Sequence, residues 1–374
     1  HHLIAARILA LNSTHTYDMT PQPLIGLLFH ALGGVAAASF YAPLKFIRKW
    51  PWECFYLAMG AFAWLLTPWI FAGATTPDLF GVLSRAPASA LGWTFLFGLL
   101  WGVGAVTYGL TMRYLGMALG MSVALGFCAL FGTLIPPIFR GELMTVASTT
   151  GGQVVIGGVA LCAVGILVAG YAGFRKEREL PAELSADHKS GDDEFAPIKG
   201  LVVAFICGLM SACFAFGIQS GVPIAELAVE AGANPLFQNN VVLCVILPGG
   251  FLTNTLWCLY LNRRNKTFSG YRSATPSETT GILTLCAASG IIWYFQFFFY
   301  GMGSTKMGAF DFSSWSLHMS FIIICGNLWG LFFKEWRGVT RATLSIVWTA
   351  ILLLILSTVI IGWGNSLGTT APAH

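Results

Sequence analysis

The chain has 374 residues, of which 56% are hydrophobic and only 10% charged, with a net charge of +4 and a mean hydropathy of +0.72. A soluble domain carries roughly 25% charged residues, so an ordinary soluble enzyme or binding module is excluded. The basic residues are scattered through short loops between apolar runs, not gathered in one patch, which removes nucleic acid as a partner.

Residues 1–18 (HHLIAARILALNSTHTYD) are too short to cross a bilayer and lack a convincing signal-peptide cleavage site. They read as a disordered tail or as residues foreign to the natural chain, and Met19 opens a better start. A membrane span needs about 20 mainly apolar residues. Ten segments qualify in chain order: 24–46, 52–73, 91–114, 116–138, 152–174, 199–220, 236–261, 280–304, 308–333 and 342–363. Each should be an α-helix, because lipid leaves the backbone no partner but itself and the runs are too long for barrel strands.

Charge orients these spans. Lys45, Arg48 and Lys49 follow the first, Arg113 ends the third, and Arg175, Lys176, Arg178, Lys189 and Lys199 surround the middle. Arg263, Arg264, Lys266 and Arg272 follow the seventh, and Lys334, Arg337 and Arg341 the ninth. Positive loops tend to remain cytoplasmic, so both termini are expected outside. The segment 175–198 is then a cytoplasmic linker between a first half, 19–174, and a second, 199–374.

The two halves resemble each other. Gly98, Trp101, Tyr108, Gly109 and Gly116 recur as Gly290, Trp293, Tyr300, Gly301 and Gly308, each displaced by 192 positions. Weaker echoes pair Gly34 and Phe40 with Gly208 and Phe214, and Gly132, Phe139 and Arg140 with Gly326, Phe333 and Lys334. Five spans per half make the repeats antiparallel. Inverted repeats point to a transporter whose substrate site lies near the midplane, where the halves meet. The expected fold is therefore an all-α integral membrane protein of ten transmembrane helices in two inverted five-helix repeats.

Nine cysteines occur singly, mostly in apolar runs, and read as small hydrophobes and not as disulfides or metal ligands. Polar groups within spans are costly, and ionisable ones are functional suspects. Asp311 stands just inside the outer end of the ninth span, and Ser314, Trp315 and His318 follow on the same helical face. A carboxylate in a partly dry site suits proton coupling. Asp-Phe-Ser-Ser is equally a plausible helix start, with Asp311 as its cap. His318 reads either as a satisfied structural histidine or as part of a binding or proton-relay face. His30, in the outer half of span one, reads either as an interfacial histidine bonded to a neighbouring helix or as part of the site.

Span eight places Trp293, Gln296 and Tyr300 on one stripe. An amide between rings suits a sugar, since amides pair with hydroxyls and ring faces pack on C–H surfaces; an aromatic belt at the membrane surface is the other reading. Gln219, Asn239, Asn240 and Asn254 are further amide candidates, though intramembrane amides commonly bridge helices. Lys45 and Arg113 read as snorkelling charges that fix topology, and Lys334 with Glu335 as an interfacial pair.

Several blocks in order then match a known family: FYAPLK (40–45), WPWE (50–53), YGLTMRYLGM (108–117), WYFQFFFYGMG (293–303), SWSLHMSF (314–321) and FKEW (333–336). From about His30 to Gly362 the chain resembles the L-rhamnose–proton symporter family of the drug/metabolite transporter superfamily. The resemblance implies a multi-pass protein of the bacterial inner membrane that imports a 6-deoxyhexose, driven by protons. It requires no cofactor beyond the co-transported proton. It makes Asp311 the leading proton carrier, and draws the sugar site from Trp293, Gln296, Tyr300, His318, Tyr41 and Tyr108. His30, Gln219, Asn239, Asn254 and Trp315 join these from the reading of the residues.

The chain departs from the family pattern at Ala105, at Val222, at Glu142 in FRGE and in a longer, acidic linker. The expected substrate is therefore L-rhamnose or a closely related deoxysugar or pentose. The expected partners are the sugar, the proton and the lipid bilayer, with the oligomeric state left open. An exporter or exchanger of another small metabolite is the alternative. A membrane-embedded enzyme would need a paired catalytic constellation, and Asp311, His318 and His30 are widely spaced in sequence. A sugar sensor that does not transport is a third possibility.

Overall fold

The computed structural model describes residues 21–369 apart from Gly116, Arg140, residues 180–195 and Glu335. The expectations for the N-terminal tail, most of the linker and Glu335 lie outside the described residues. Those that are described form helices and connecting turns, with no strand among them.

The long helices are α1 (Pro23–Ser39), α2 (Trp52–Thr75), α3 (Ala88–Leu115), α4 (Met117–Phe139) and α5 (Thr150–Glu179). After the linker come α6 (Pro197–Ser220), α7 (Asn239–Asn265), α8 (Pro276–Ser304), α9 (Ser314–Phe332) and α10 (Arg341–Thr369). Among the described residues nine helices are long and apolar enough to cross a membrane, while α4 supplies a shorter apolar helix, Val123–Ile138. Short helices that the hydropathy pattern does not separate from loops occupy Leu79–Arg85, Leu143–Ser148 and Val222–Glu230.

Local chemistry explains the boundaries. Thr275 caps α8 through a reciprocal capping box with Glu278, and Pro276 takes the first helical position, where its missing N–H costs nothing. Within α2 a π turn spans Phe62–Leu66, directly before Pro68. Proline would otherwise press on the carbonyl four residues back, and the wider turn relieves it. Lys266 and Lys334 take left-handed conformations (φ 56° and 60°) where α7 and α9 end.

The helices pack in matched pairs. α1 lies against α8 and α9, and α6 lies against α3 and α4; α2 packs on α8 as α7 packs on α3, and α5 pairs with α10. Glycine permits the closest approaches. A Cβ at Gly34 would collide with Phe321 of α9, and one at Gly208 would collide with Phe127 of α4, backbone included in each case. Small residues allow such backbone contact where lipid supplies no hydrophobic drive between helices. Large apolar side chains such as Leu24, Ile70, Leu352 and Val359 face outward, as a hydrocarbon solvent favours.

The core is aromatic. Trp64, Trp101 and Trp293 form a triangle with ring centroids 6.2, 5.3 and 5.8 Å apart, and Phe251 closes on Trp64 at 6.2 Å. Eight of the nine cysteines are buried and all nine are free. At one end of the bundle, polar contacts tie loops together. Lys49 pairs with Glu278 at 2.7 Å, and Glu53 accepts from Asn265 and Thr267 at 3.1 and 2.6 Å. Glu179 at the end of α5 accepts from Thr340 and Thr343 at the start of α10.

Candidate functional site

A cavity of about 220 Å³ opens at the opposite end, between the closing turns of α4, α6 and α8 and the opening turns of α7 and α9. That is below the roughly 300–1,000 Å³ of drug-sized sites and suits a small metabolite. Its polar lining comes from Gln219, Gln238, Asn239, Tyr300, Ser304, Thr305 and Asp311, and Trp315 and Phe312 supply aromatic faces. One carboxylate, three amides, hydroxyls and ring faces make a surface for a neutral, hydroxyl-rich ligand.

Local structure fixes each group. Asp311 lies in a 3₁₀ turn, Gly308–Ser313, which breaks helical geometry at Phe310 (φ −113°, ψ 37°) before α9 begins. Gly308 enters that turn with φ +70°, which favours glycine. The Ser313 hydroxyl donates to the Phe310 carbonyl at 2.7 Å and accepts from the Asn365 amide at 3.0 Å, anchoring the turn to α10. The residue flanking α9 is Ser313 and not Asp311, and the Ser313 side chain makes no capping bond to the helix. Asp311 is half-buried in the wall of the cavity that Tyr300 also lines.

Trp315 is held by its indole N–H, which donates to the Cys128 carbonyl at 3.0 Å, and by Gly132, where a Cβ would strike the ring. Thr133 and Ser316 join α4 to α9 through a 2.6 Å hydroxyl contact. Beneath the cavity the Tyr300 ring touches Trp315 at 5.6 Å, His318 at 5.4 Å and His30 at 5.5 Å. Phe214 stacks on Phe297 at 3.9 Å and lies 5.8 Å from Trp315. These rings form the floor, continuous with the tryptophan triangle through the 5.4 Å contact of Phe214 with Trp101.

The structure thus gathers Asp311, Tyr300, Trp315, Gln219 and Asn239 around one space, with His30 and His318 directly behind. Asn239 also donates to the Gly301 carbonyl at 3.1 Å, which holds α7 to α8. Other expected residues lie elsewhere. Trp293 belongs to the tryptophan triangle, and Gln296 is buried in α8 below the floor. Asn254 turns its amide onto the Gly250 carbonyl of its own helix at 2.9 Å. Tyr41 and Tyr108, both half-buried, are not in the cavity wall. Sequence reasoning missed Gln238, Ser304 and Thr305. Their signal was proximity, since Gln238 precedes two flagged asparagines, and Ser304 and Thr305 follow Tyr300 by about one turn. Val222 also lines the cavity. Among the described residues no group of three or more His, Cys, Asp or Glu is arranged to hold a metal ion.

Comparison with known proteins bears on what passes through this site. Residues 19–367 match the L-rhamnose-proton symport protein family. The L-rhamnose-proton symporter of Cronobacter sakazakii is 36% identical over 344 residues, covering 91% of this chain and 97% of the relative. The L-rhamnose-proton symporter of Yersinia pestis is 35% identical over 345 residues, covering 91% and 98%. The chain belongs to the L-rhamnose–proton symporter family, a family of membrane transporters and not of enzymes.

Proposed function

We propose that this member of the family imports L-rhamnose together with a proton across the bacterial inner membrane by alternating access, with no cofactor beyond the proton. The observation that carries this is the joining of family membership with a small cavity whose wall sets Asp311 among amides, hydroxyls and aromatic faces. A 6-deoxyhexose offers hydroxyls to Gln219, Gln238 and Asn239, and its methyl and C–H faces to Trp315 and Tyr300. Asp311 carries the proton, with His318 as its companion. Trp293, Gln296, Tyr41, Tyr108 and Asn254 serve other stages of the cycle or the packing between halves. The comparisons do not favour an exporter or exchanger of another metabolite.

The proposed frame is ten transmembrane helices in two inverted halves, 19–174 and 199–374, joined by a cytoplasmic linker at 175–198. Three features support it: the 192-residue echo, the matched packing of α1 on α8 and α9 with that of α6 on α3 and α4, and the matched glycine contacts. The excess of Lys and Arg puts the tied end in the cytoplasm and both termini outside, so the cavity faces outward. Binding of sugar and proton must each favour the same conformation for one to drive the other.

The test is L-rhamnose uptake into proteoliposomes with and without an inward proton gradient. Wild type should accumulate sugar only with the gradient. Asp311→Asn should abolish accumulation while sugar exchange persists. Wild type indifferent to both rhamnose and the gradient would sink the reading.

A further inference from the structure

Behind the cavity floor two histidines meet. His30 of α1 and His318 of α9 are fully buried, their ring centroids are 6.4 Å apart, and Tyr300 packs on both. All four ring nitrogens are buried without a hydrogen-bond partner. A neutral imidazole presents one donor and one acceptor, and buried polar atoms are rarely left unsatisfied in native proteins. Two such rings side by side are therefore an unfinished polar site and not a packing choice.

The fold makes room for them reciprocally. A Cβ at Gly33 of α1 would crowd the His318 ring at 3.1 Å, and a Cβ at Gly303 of α8 would meet the His30 ring at 2.7 Å. Each imidazole thus occupies space left open by a glycine on a neighbouring helix. The titratable groups around the pair are few. α8 presents Tyr300, and Asp311 stands on its far side in the 3₁₀ turn. α4 contributes only Cys128, bonded through its carbonyl to Trp315, and α5 contributes Cys162, engaged with Ser320. α10 bears no acid or base beyond Arg341 at its other end.

We propose that His30 and His318 form a single occluded proton-holding site, separated from the cavity by the Tyr300 ring and acting in series with Asp311. This rests on the symport reading above and deepens it. A proton arriving from the cavity adds to a ring nitrogen of one neutral imidazole, giving one imidazolium and one neutral ring in the pair. The same proton leaves to the cytoplasm after the halves rock, and both rings return to neutral. Tyr300 touches both histidines and lines the cavity, so a bound sugar that shifts its ring changes access to the pair. This links sugar occupancy to proton occupancy through one side chain.

The test uses the full-length protein and L-rhamnose. His30→Gln and His318→Gln keep an amide donor and acceptor but cannot take a charge. Each should cut gradient-driven accumulation at least tenfold, leave counterflow exchange within about threefold of wild type, and remove proton uptake on sugar addition, read with a pH dye. The double variant should be no worse than either single. Wild-type protein labelled with ¹⁵N-histidine should show a new imidazolium signal when rhamnose is added, which needs no variant to fold. Histidine variants that accumulate sugar as wild type does, or an unchanged histidine spectrum, would overturn the proposal and leave Asp311 as sole carrier. Wild type that neither binds nor accumulates rhamnose would instead defeat the underlying symport reading.

Discussion

Two regions of the molecule share a frame and differ in chemistry. At the cavity end stand Tyr300, His30 and His318, with Gly34 seated against Phe321. Under the proposed repeat their counterparts are Tyr108, Ala204 and Ala124, with Gly208 seated against Phe127. Ala204 and Ala124 are as buried as the histidines they match. The cavity-lining Ala215 and Gln219 have Tyr41 and Lys45 as partners. On that proposed repeat the packing is kept twice and the polar chemistry once. A transporter needs symmetry to expose its site alternately to either side, but it needs only one place to hold the coupling ion. On the proposed reading, the difference separates residues that build the machine from those that decide its cargo.

The strongest way to break this comparison is through the shared frame. Gly34→Leu and Gly208→Leu should each disrupt folding, by about 1–3 kcal/mol or more, because backbone as well as side chain blocks the added atoms. Gly109, with nothing near its Cβ position, should tolerate alanine. Thermal stability in detergent checks this, and two glycine variants of very different severity would argue against equivalent packing. The chemistry should respond unequally. Gln219→Ala, in the cavity, should weaken rhamnose binding roughly tenfold, about 1.4 kcal/mol. Tyr108→Phe, outside it, should leave affinity from the outside within twofold. Equal losses in a tryptophan-fluorescence titration would place the site elsewhere.

Most of the frame was legible in the sequence. Long apolar runs interrupted by basic loops leave few alternatives in lipid, so the helices came out near their expected places. Asp311, Tyr300, Trp315, Gln219 and Asn239 were identified from polar chemistry on apolar helices, and the structure brings them together. Trp293 and Gln296 show the limit. They share a stripe with Tyr300, but a stripe runs the length of a helix while a cavity takes only its end, so depth was invisible. Asn254 lies away from the cavity for a related reason, because a bond to its own helix looks the same in sequence as a bond to a ligand. The short helix Val222–Glu230 and the 3₁₀ turn around Asp311 were missed because few residues carry too little periodicity to register.

The comparison sharpens further when the two ends exchange roles. In the state open to the cytoplasm, Tyr41 should line a cavity as Ala215 does in the structure described here. In a background with the half-exposed Cys325 changed to serine, Tyr41→Cys should gain reactivity toward a maleimide when rhamnose and protons drive turnover. Ala215→Cys should lose it. Opposite trends of at least threefold are expected, and parallel changes would speak against alternating exposure.

The smallest effect concerns what closes the tied end. Glu179 accepts from Thr340 and Thr343 and pairs with Arg175 at 2.9 Å. The Thr343 hydroxyl and then the Thr340 backbone N–H hold its carboxyl down at about 2, against an ordinary value near 4.5. A depressed carboxylate contributes stability that is complete above its unfolded pKa and is lost as pH falls through the folded one. Wild type and Glu179→Gln should therefore differ by a constant small interval in Tm from pH 7 to about pH 5. The interval should shrink below pH 4.5 and close near pH 2. Because the group is solvated, the interval should also shrink in high salt. Among the described residues the cavity end shows no such carboxylate tie between α5 and α10, and there Gly151 and Gly364 let the backbones of the same two helices approach closely. A Tm interval unchanged down to pH 2 would mean that the tied end, too, is held by packing and not by charge.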